Sequence, residues 1–209
     1  MSGARGILRD VARYYGEKIR LHGPTARGAD WNSLESQGMR FAQLLKIADR
    51  AGPFSINDYG CGYGALLDYL KENFCAVQYC GFDISNRMLA AARQLHRETE
   101  QVRFVSREED LSPADFTLAS GVFNVRLTTT VEKWEDYLCR TLDSMNALSR
   151  RGFAFNLLTT FSDPERRRPH LYYGDPSFYF ELCKKRYSRF VSLLHDYPLY
   201  EFTILVRQV

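Results

Sequence analysis

Three glycines at alternate positions, Gly60, Gly62 and Gly64, stand where a β-type run ends and a helical run begins. No other feature limits the fold as much, because glycines at a strand-to-helix turn let the backbone bend tightly and let a ligand lie against it, with no Cβ in the way. Around that junction, strand-like and helical runs alternate, which is the pattern of a parallel sheet covered on both faces. Strands are predicted over residues 54–59, 77–83, 103–106, 116–121 and 152–159, and helices over 65–74, 85–97 and 131–148. The last helix carries Trp134, Leu138, Leu142, Met145 and Leu148 on one stripe, and Thr129 stands three residues before Glu132, the spacing of a capping box.

Beyond the fifth strand, Asp175-Pro176 reads as a cap and first helical position opening a helix to about residue 187. Residues 190–197 and 200–206 are two β-rich runs separated by Pro198 and Leu199, so a closing antiparallel hairpin is expected, with His195 inside its first strand. Ahead of the first strand, helices are predicted over about 6–21 and 33–50, joined by a turn-rich segment from His22 to Asp30. The length of 209 residues suits one domain, 1–209, in which 1–50 form leading helices and a lid and 51–209 form the core.

Composition narrows the setting. A net charge of +3 with both signs scattered does not call for nucleic acid, and Arg166, Arg167 and Arg168 read as a solvated loop. No apolar run approaches the roughly 18 residues of a membrane span, and the first residues lack the apolar centre of a signal peptide, so a cytoplasmic protein without a membrane partner is expected. Five cysteines, without a Cys-x-x-Cys pair or histidines at ligand spacing, imply reduced thiols and no metal.

Asp83 lies 23 residues after Gly60, near the offset at which an acid after the second strand accepts hydrogen bonds from ribose hydroxyls. Gly60-x-Gly62-x-x-Ala65 also satisfies a dinucleotide fingerprint, but Asp58 at the mouth of the turn repels a pyrophosphate and attracts an ammonium or sulfonium group. A P-loop is excluded, since no Gly-Lys-Ser or Gly-Lys-Thr follows. Asp58-x-Gly60-x-Gly62-x-Gly64 with Gly81-Phe82-Asp83-Ile84-Ser85 resembles the first two motifs of the class I S-adenosylmethionine-dependent methyltransferases, over about residues 54–209. The resemblance implies a Rossmann-like, doubly wound α/β fold with seven strands in the order 3-2-1-4-5-7-6, strand 7 antiparallel, plus an N-terminal helical lid. It implies S-adenosyl-L-methionine as cofactor and S-adenosyl-L-homocysteine as product.

By that resemblance Asp58, Gly60, Gly62 and Gly64 hold the methionine portion, Asp83 the ribose, and Ile84 packs on adenine. Cys61 fills space beside them and has no neighbouring histidine to make it a nucleophile. The family's acidic residue after strand 3 is missing, and the backbone of Ser106 and Arg107 takes its place in this reading. By the same resemblance residues 119–124 match the position facing the transferred methyl, with Ser120 on the cofactor side, and lack the Asn-Pro-Pro-Tyr motif of amide and adenine methylation and the Pro-Cys motif of cytosine C5 methylation.

The acceptor is read as a small molecule, with RNA methylation and a non-catalytic S-adenosylmethionine-binding module as alternatives, and a nicotinamide oxidoreductase as the remaining rival. Candidate bases are His22, in the lid turn, and His170, after strand five. His96 is set aside as part of a charged helical segment. Aromatic faces attract a sulfonium and stack on flat acceptors. On that ground Tyr15 and Trp31 are assigned to the cofactor, and Tyr14, Tyr63, Phe123, Asn124, Tyr172 and Tyr173 to the acceptor.

Overall fold

The computed structural model describes residues 2–48 and 52–208, with residues 2–5 as backbone only. Two helices, α1 (Ser2–His22) and α2 (Leu34–Leu44), lead into a run of five strands and three helices. These are β1 (Phe54–Tyr59), α3 (Ala65–Asn73), β2 (Val77–Phe82), α4 (Asn86–Leu95), β3 (Val102–Val105), β4 (Ala114–Ala119), α5 (Val131–Ala147) and β5 (Ser149–Leu158). The chain closes with α6 (Pro176–Arg186), β6 (Phe190–Leu194) and β7 (Glu201–Arg207). The seven strands form one sheet in the order β3-β2-β1-β4-β5-β7-β6, with β7 antiparallel to both neighbours and β1 to β5 mutually parallel. The expected fold class is thus the observed one.

Each face of the sheet has its own core. The apolar stripe of α5, with Trp134, Leu138, Leu142 and Met145 all at 0% exposure, meets Phe153, Phe155 and Phe202 on one side. Burying side chains of this size stabilises the fold by roughly 1.5–3 kcal/mol each. On the other side, Phe41 of α2, Leu66 and Leu70 of α3 and Leu89 of α4 cover Ile56 and Leu118. Because β1 to β4 are parallel, the connections that leave their C-terminal ends open along one sheet edge.

Several boundaries differ from the sequence reading: β4 and β5 begin two and three residues earlier than expected, and three further differences have a visible cause. Thr130, not Thr129, is the N-cap of α5, and it makes no side-chain cap bond, because Thr129 belongs to the preceding turn, where its amide donates to the Arg126 carbonyl. The closing hairpin is shorter than expected: Leu194 pairs with Thr203, so residues 195–200 form its loop and His195 lies outside the strand, tilted against Phe161 and edge-on to Phe202. The second leading helix ends in a 3-10 turn, Leu45–Ile47, and the predicted end at residue 50 and the final residue, 209, lie outside the described residues. Local cap chemistry succeeded at α2, where Ser33 and Ser36 exchange backbone-to-side-chain hydrogen bonds, and at α6, where the Asp175 carboxylate accepts from Ser177 and Phe178 ahead of Pro176. Among the described residues no helix is long and apolar enough to cross a membrane.

Candidate functional site

The glycine turn after β1 is held to β2 by two amides, Gly60 and Cys61, that both donate to the Phe82 carbonyl at 2.7 and 2.9 Å. Gly60, Gly62 and Gly64 all have positive φ, at 81°, 56° and 89°, where a side chain is disfavoured. A Cβ on Gly60 would also stand 2.5 Å from Val122 Cγ2. Gly64 has a different reason: its Cβ would strike the ring of His96 at 2.8 Å, so this glycine makes room for the end of α4 and does not line the cavity. His96 is therefore a buried wedge behind the turn, 4% exposed and stacked on Phe104, and not part of a solvated helical face.

Two carboxylates meet this turn from below. Asp58, at 2% exposure, accepts a hydrogen bond from Tyr79 at 2.7 Å, and burial raises its pKa to about 7, with the nearby Asp83 charge adding to the effect. Asp83 accepts from the amides of Gly62 at 2.9 Å and Ser85 at 2.7 Å, which fixes β2 to both the turn and the start of α4. Burial lifts its pKa to about 6 against the pull of those two amides. Each oxygen of Asp83 retains a further lone pair for a hydroxyl donor.

Above the turn is a cavity with roughly 800 Å³ of free space including its open mouth. It gathers Tyr15, Trp31, Asp58, Gly60, Cys61 and Gly62, joined by Tyr63, Ile84 and Ser120. The Ser120 hydroxyl is buried and has no hydrogen-bond partner among the described residues, an exception among buried polar groups. Tyr63 donates to Gln37 at 3.1 Å, and this pair separates the cavity from an outer groove. Val122, within the 119–124 segment expected to face the methyl, and Tyr137, whose position carried no signal, also line the cavity. Burial raises the pKa of Tyr15 and Cys61 well above their ordinary values, Tyr137 to about 12, and keeps all three protonated at neutral pH.

Other expected contacts lie elsewhere. Ser106 and Arg107 line an adjoining depression that shares Tyr59, Phe82 and Ile84 with the cavity, and the Arg107 guanidinium is engaged by Asp110 at 2.6 and 2.9 Å. His22 is exposed at the end of α1 and borders the outer groove, not the cavity. His170 stands in the loop before α6, its carbonyl accepting from the Leu127 amide, and does not reach the cavity wall. Tyr14 faces outward, donating to Asp30 at 2.6 Å, while Lys18 binds the other oxygen of the same carboxylate.

The four acceptor candidates after β4 and β5 are scaffold. Phe123 is at 0% exposure, edge-on to Phe155; Asn124 accepts from the Leu158 amide. Tyr172 is buried against Tyr179 and donates to Glu135, and Tyr173 accepts from the Arg168 amide. None of these four side chains lines the cavity, because a loop residue near an edge can point into the protein as readily as out of it. The arginine run is also committed locally: Arg166 pairs with Asp163, while Arg167 and Arg168 donate to carbonyls of their own loop.

Comparison with known proteins agrees with this geometry. The profile of a methyltransferase domain matches residues 58–148. A Mycobacterium tuberculosis protein, itself named a methyltransferase by inference, is 50% identical over 164 residues, covering 78% of this chain and 99% of its own length. The N-methyltransferase NodS of Bradyrhizobium japonicum, solved with S-adenosyl-L-homocysteine, superposes with a TM-score of 0.64 at 14% identity over 94% of this chain and 97% of its own. Magnesium protoporphyrin IX methyltransferase of Synechocystis, also with S-adenosyl-L-homocysteine, gives 0.63 at 14% identity over 97% and 99%. At such identities these two structures speak for the fold alone, while the mycobacterial relative establishes kinship. The glycine turn with its two buried carboxylates, the strand order and that relative together show that the chain belongs to the class I S-adenosylmethionine-dependent methyltransferase family.

Proposed function

We propose that this methyltransferase acts on a small molecule held between the glycine turn and the leading helices. The observation that carries the reading is the cavity itself, roofed by Tyr15 and Trp31 and floored by Asp58, Gly60 and the unpartnered Ser120 hydroxyl. The cavity and Asp83, which is buried just behind the lining residue Gly62 and does not itself line the wall, fit S-adenosylmethionine: space left by a missing Cβ at Gly60, an anionic group for the cationic amino end, and an acid after β2 for the ribose. When bound, the cofactor supplies a methyl carbon activated by its sulfonium, and transfer is an in-line displacement at that carbon.

The chain's own work is alignment and exclusion of water. Asp58 holds the ammonium group, Asp83 accepts the ribose hydroxyls with the lone pairs its amide partners leave free, and Ile84 lies against adenine. Tyr15 and Trp31 cover the reacting region with rings that favour a cation. His22 and His170 stand away from the cavity, which favours an acceptor that attacks without surrendering a proton, as a carboxylate or a tertiary amine does. RNA methylation gains no support from the arginine run, whose side chains fold their own loop. A cytoplasmic site of action is part of the same reading.

Calorimetric titration with S-adenosyl-L-homocysteine tests it. One saturable site per chain is the expected result. A flat titration of protein confirmed folded by circular dichroism refutes the assignment.

A further inference from the structure

A closed circuit of contacts, running through residues far apart in sequence, surrounds the Trp31 indole. The benzo edge of Trp31 rests on Gly121, so closely that a Cβ there would stand 2.3 Å from Cη2. The face of the ring is covered by the Arg40 guanidinium, 4.1 Å from the ring centroid. Arg40 in turn forks onto Glu201 of β7, with Nε at 2.8 and 2.9 Å and a second nitrogen at 2.5 Å, while its remaining nitrogen donates to the Ser36 carbonyl at 2.8 Å. Glu201 accepts from Asn156 of β5 at 3.0 Å, and Asn156 accepts from the Gly121 amide at 2.8 Å, which returns the circuit to the residue beneath the indole.

The ion pair is almost wholly buried, at 7% and 1% side-chain exposure. A buried pair of this kind rarely adds net stability over apolar side chains of equal volume, so its geometry points to a positioning role. Both Trp31 and Gly121 line the cavity beside Ser120 and Val122. We propose that Arg40 is a positioning residue, latched to β7 and β5 through Glu201 and Asn156, that holds Trp31 down on Gly121 as the fixed roof of the methyl-transfer cavity. The inference rests on the proposed function for its binding readout, but not for its optical one. A lysine could pair with Glu201 but could neither fork nor lie flat on the indole.

Arg40→Lys, Trp31→Phe and the double variant test the latch. Trp31 and Trp134 are the only tryptophans, so the parent-minus-Trp31→Phe difference spectrum isolates Trp31 emission. Arg40→Lys is expected to shift that emission to the red and weaken S-adenosyl-L-homocysteine binding about tenfold, as loss of a preorganised wall does. In the double variant, affinity should fall no further than in Trp31→Phe alone, because Arg40 acts through the ring. If Arg40→Lys folds poorly, Arg40→Met with Glu201→Gln keeps the volume and the acceptor for Asn156 without a buried charge, and should lose affinity to the same degree. Parental emission and affinity in either Arg40 variant, or additive losses in the double, overturn the proposal. Should the parent itself bind no S-adenosyl-L-homocysteine, the proposed function falls, while the emission shift still decides whether Arg40 fixes Trp31.

Discussion

Replacing Asp58 with Asn should make the empty protein more stable at alkaline pH and its ligand binding weaker and less dependent on pH. The carboxyl is 2% exposed, its only hydrogen-bond donor among the described residues is the Tyr79 hydroxyl, and its pKa rises from 3.8 to about 7. A carboxyl that holds its proton more tightly when folded than when unfolded gives a stability that is greatest at acid pH and falls as pH rises from about 4 through about 7. The gap of about 3 pH units between 3.8 and about 7 corresponds to a cost of up to ~4 kcal/mol above pH 7. Asn carries no such cost and its side-chain oxygen can still accept from Tyr79.

Ligand binding follows the opposite sign, because the ammonium group prefers the ionised carboxylate. With a pKa of about 7, roughly one Asp58 in thirty is ionised at pH 5.5, so S-adenosyl-L-homocysteine should bind up to about thirtyfold more weakly there than at pH 8. Urea unfolding at pH 5.5 and pH 8, with calorimetry at the same two values, measures both effects for the parent and for Asp58→Asn. The parent should lose stability and gain affinity as pH rises, less the share owed to Asp83, whose pKa of about 6 acts in the same sense. The variant should show the smaller pH dependence in both. If Asp58→Asn is the less stable protein at pH 8, or binds as tightly as the parent, the reasoning about a buried, ligand-neutralised carboxylate is wrong.

Gly60→Ala places a methyl group 2.5 Å from Val122 Cγ2 at a φ of 81°, so a loss of about 1–2 kcal/mol in urea unfolding is expected, together with at least about tenfold weaker ligand binding. Gly64→Ala should cost comparable stability by striking His96, yet leave the affinity of the folded fraction close to the parent's, since Gly64 lies behind the cavity; His96→Ala should recover part of the loss in a thermal melt. His22→Ala and His170→Ala should each bind S-adenosyl-L-homocysteine as the parent does, within about 0.5 kcal/mol by calorimetry. A larger loss in either would mean that the residue reaches the ligand despite its place outside the cavity.

Where the sequence reading failed, it failed on side-chain direction and on distant partners. Phe123, Asn124, Tyr172 and Tyr173 were assigned to an acceptor but stand off the cavity wall, since no local pattern distinguishes a loop side chain that faces a cavity from one that packs against the scaffold. Gly64 was grouped with the ligand-facing glycines because its spacing is theirs, whereas its neighbour is a histidine 32 positions away. Arg40 and Glu201 are 161 positions apart and carried no motif, so nothing in the sequence hinted that they would share a buried contact beside Trp31.

The amino-acid sequence by itself determined the layered α/β architecture, the strand order through its family resemblance, and the turn with its two acids. Periodicity, cap residues and glycine spacing act over a few residues, and such short-range preferences can be read directly along the chain. Only the tertiary structure decided which glycine lines the cavity and which abuts a histidine, which tyrosines line the cavity, and which side chain covers the Trp31 ring. Those outcomes depend on burial and on contacts between distant segments, whose energies exist only once the sheet has brought the segments together.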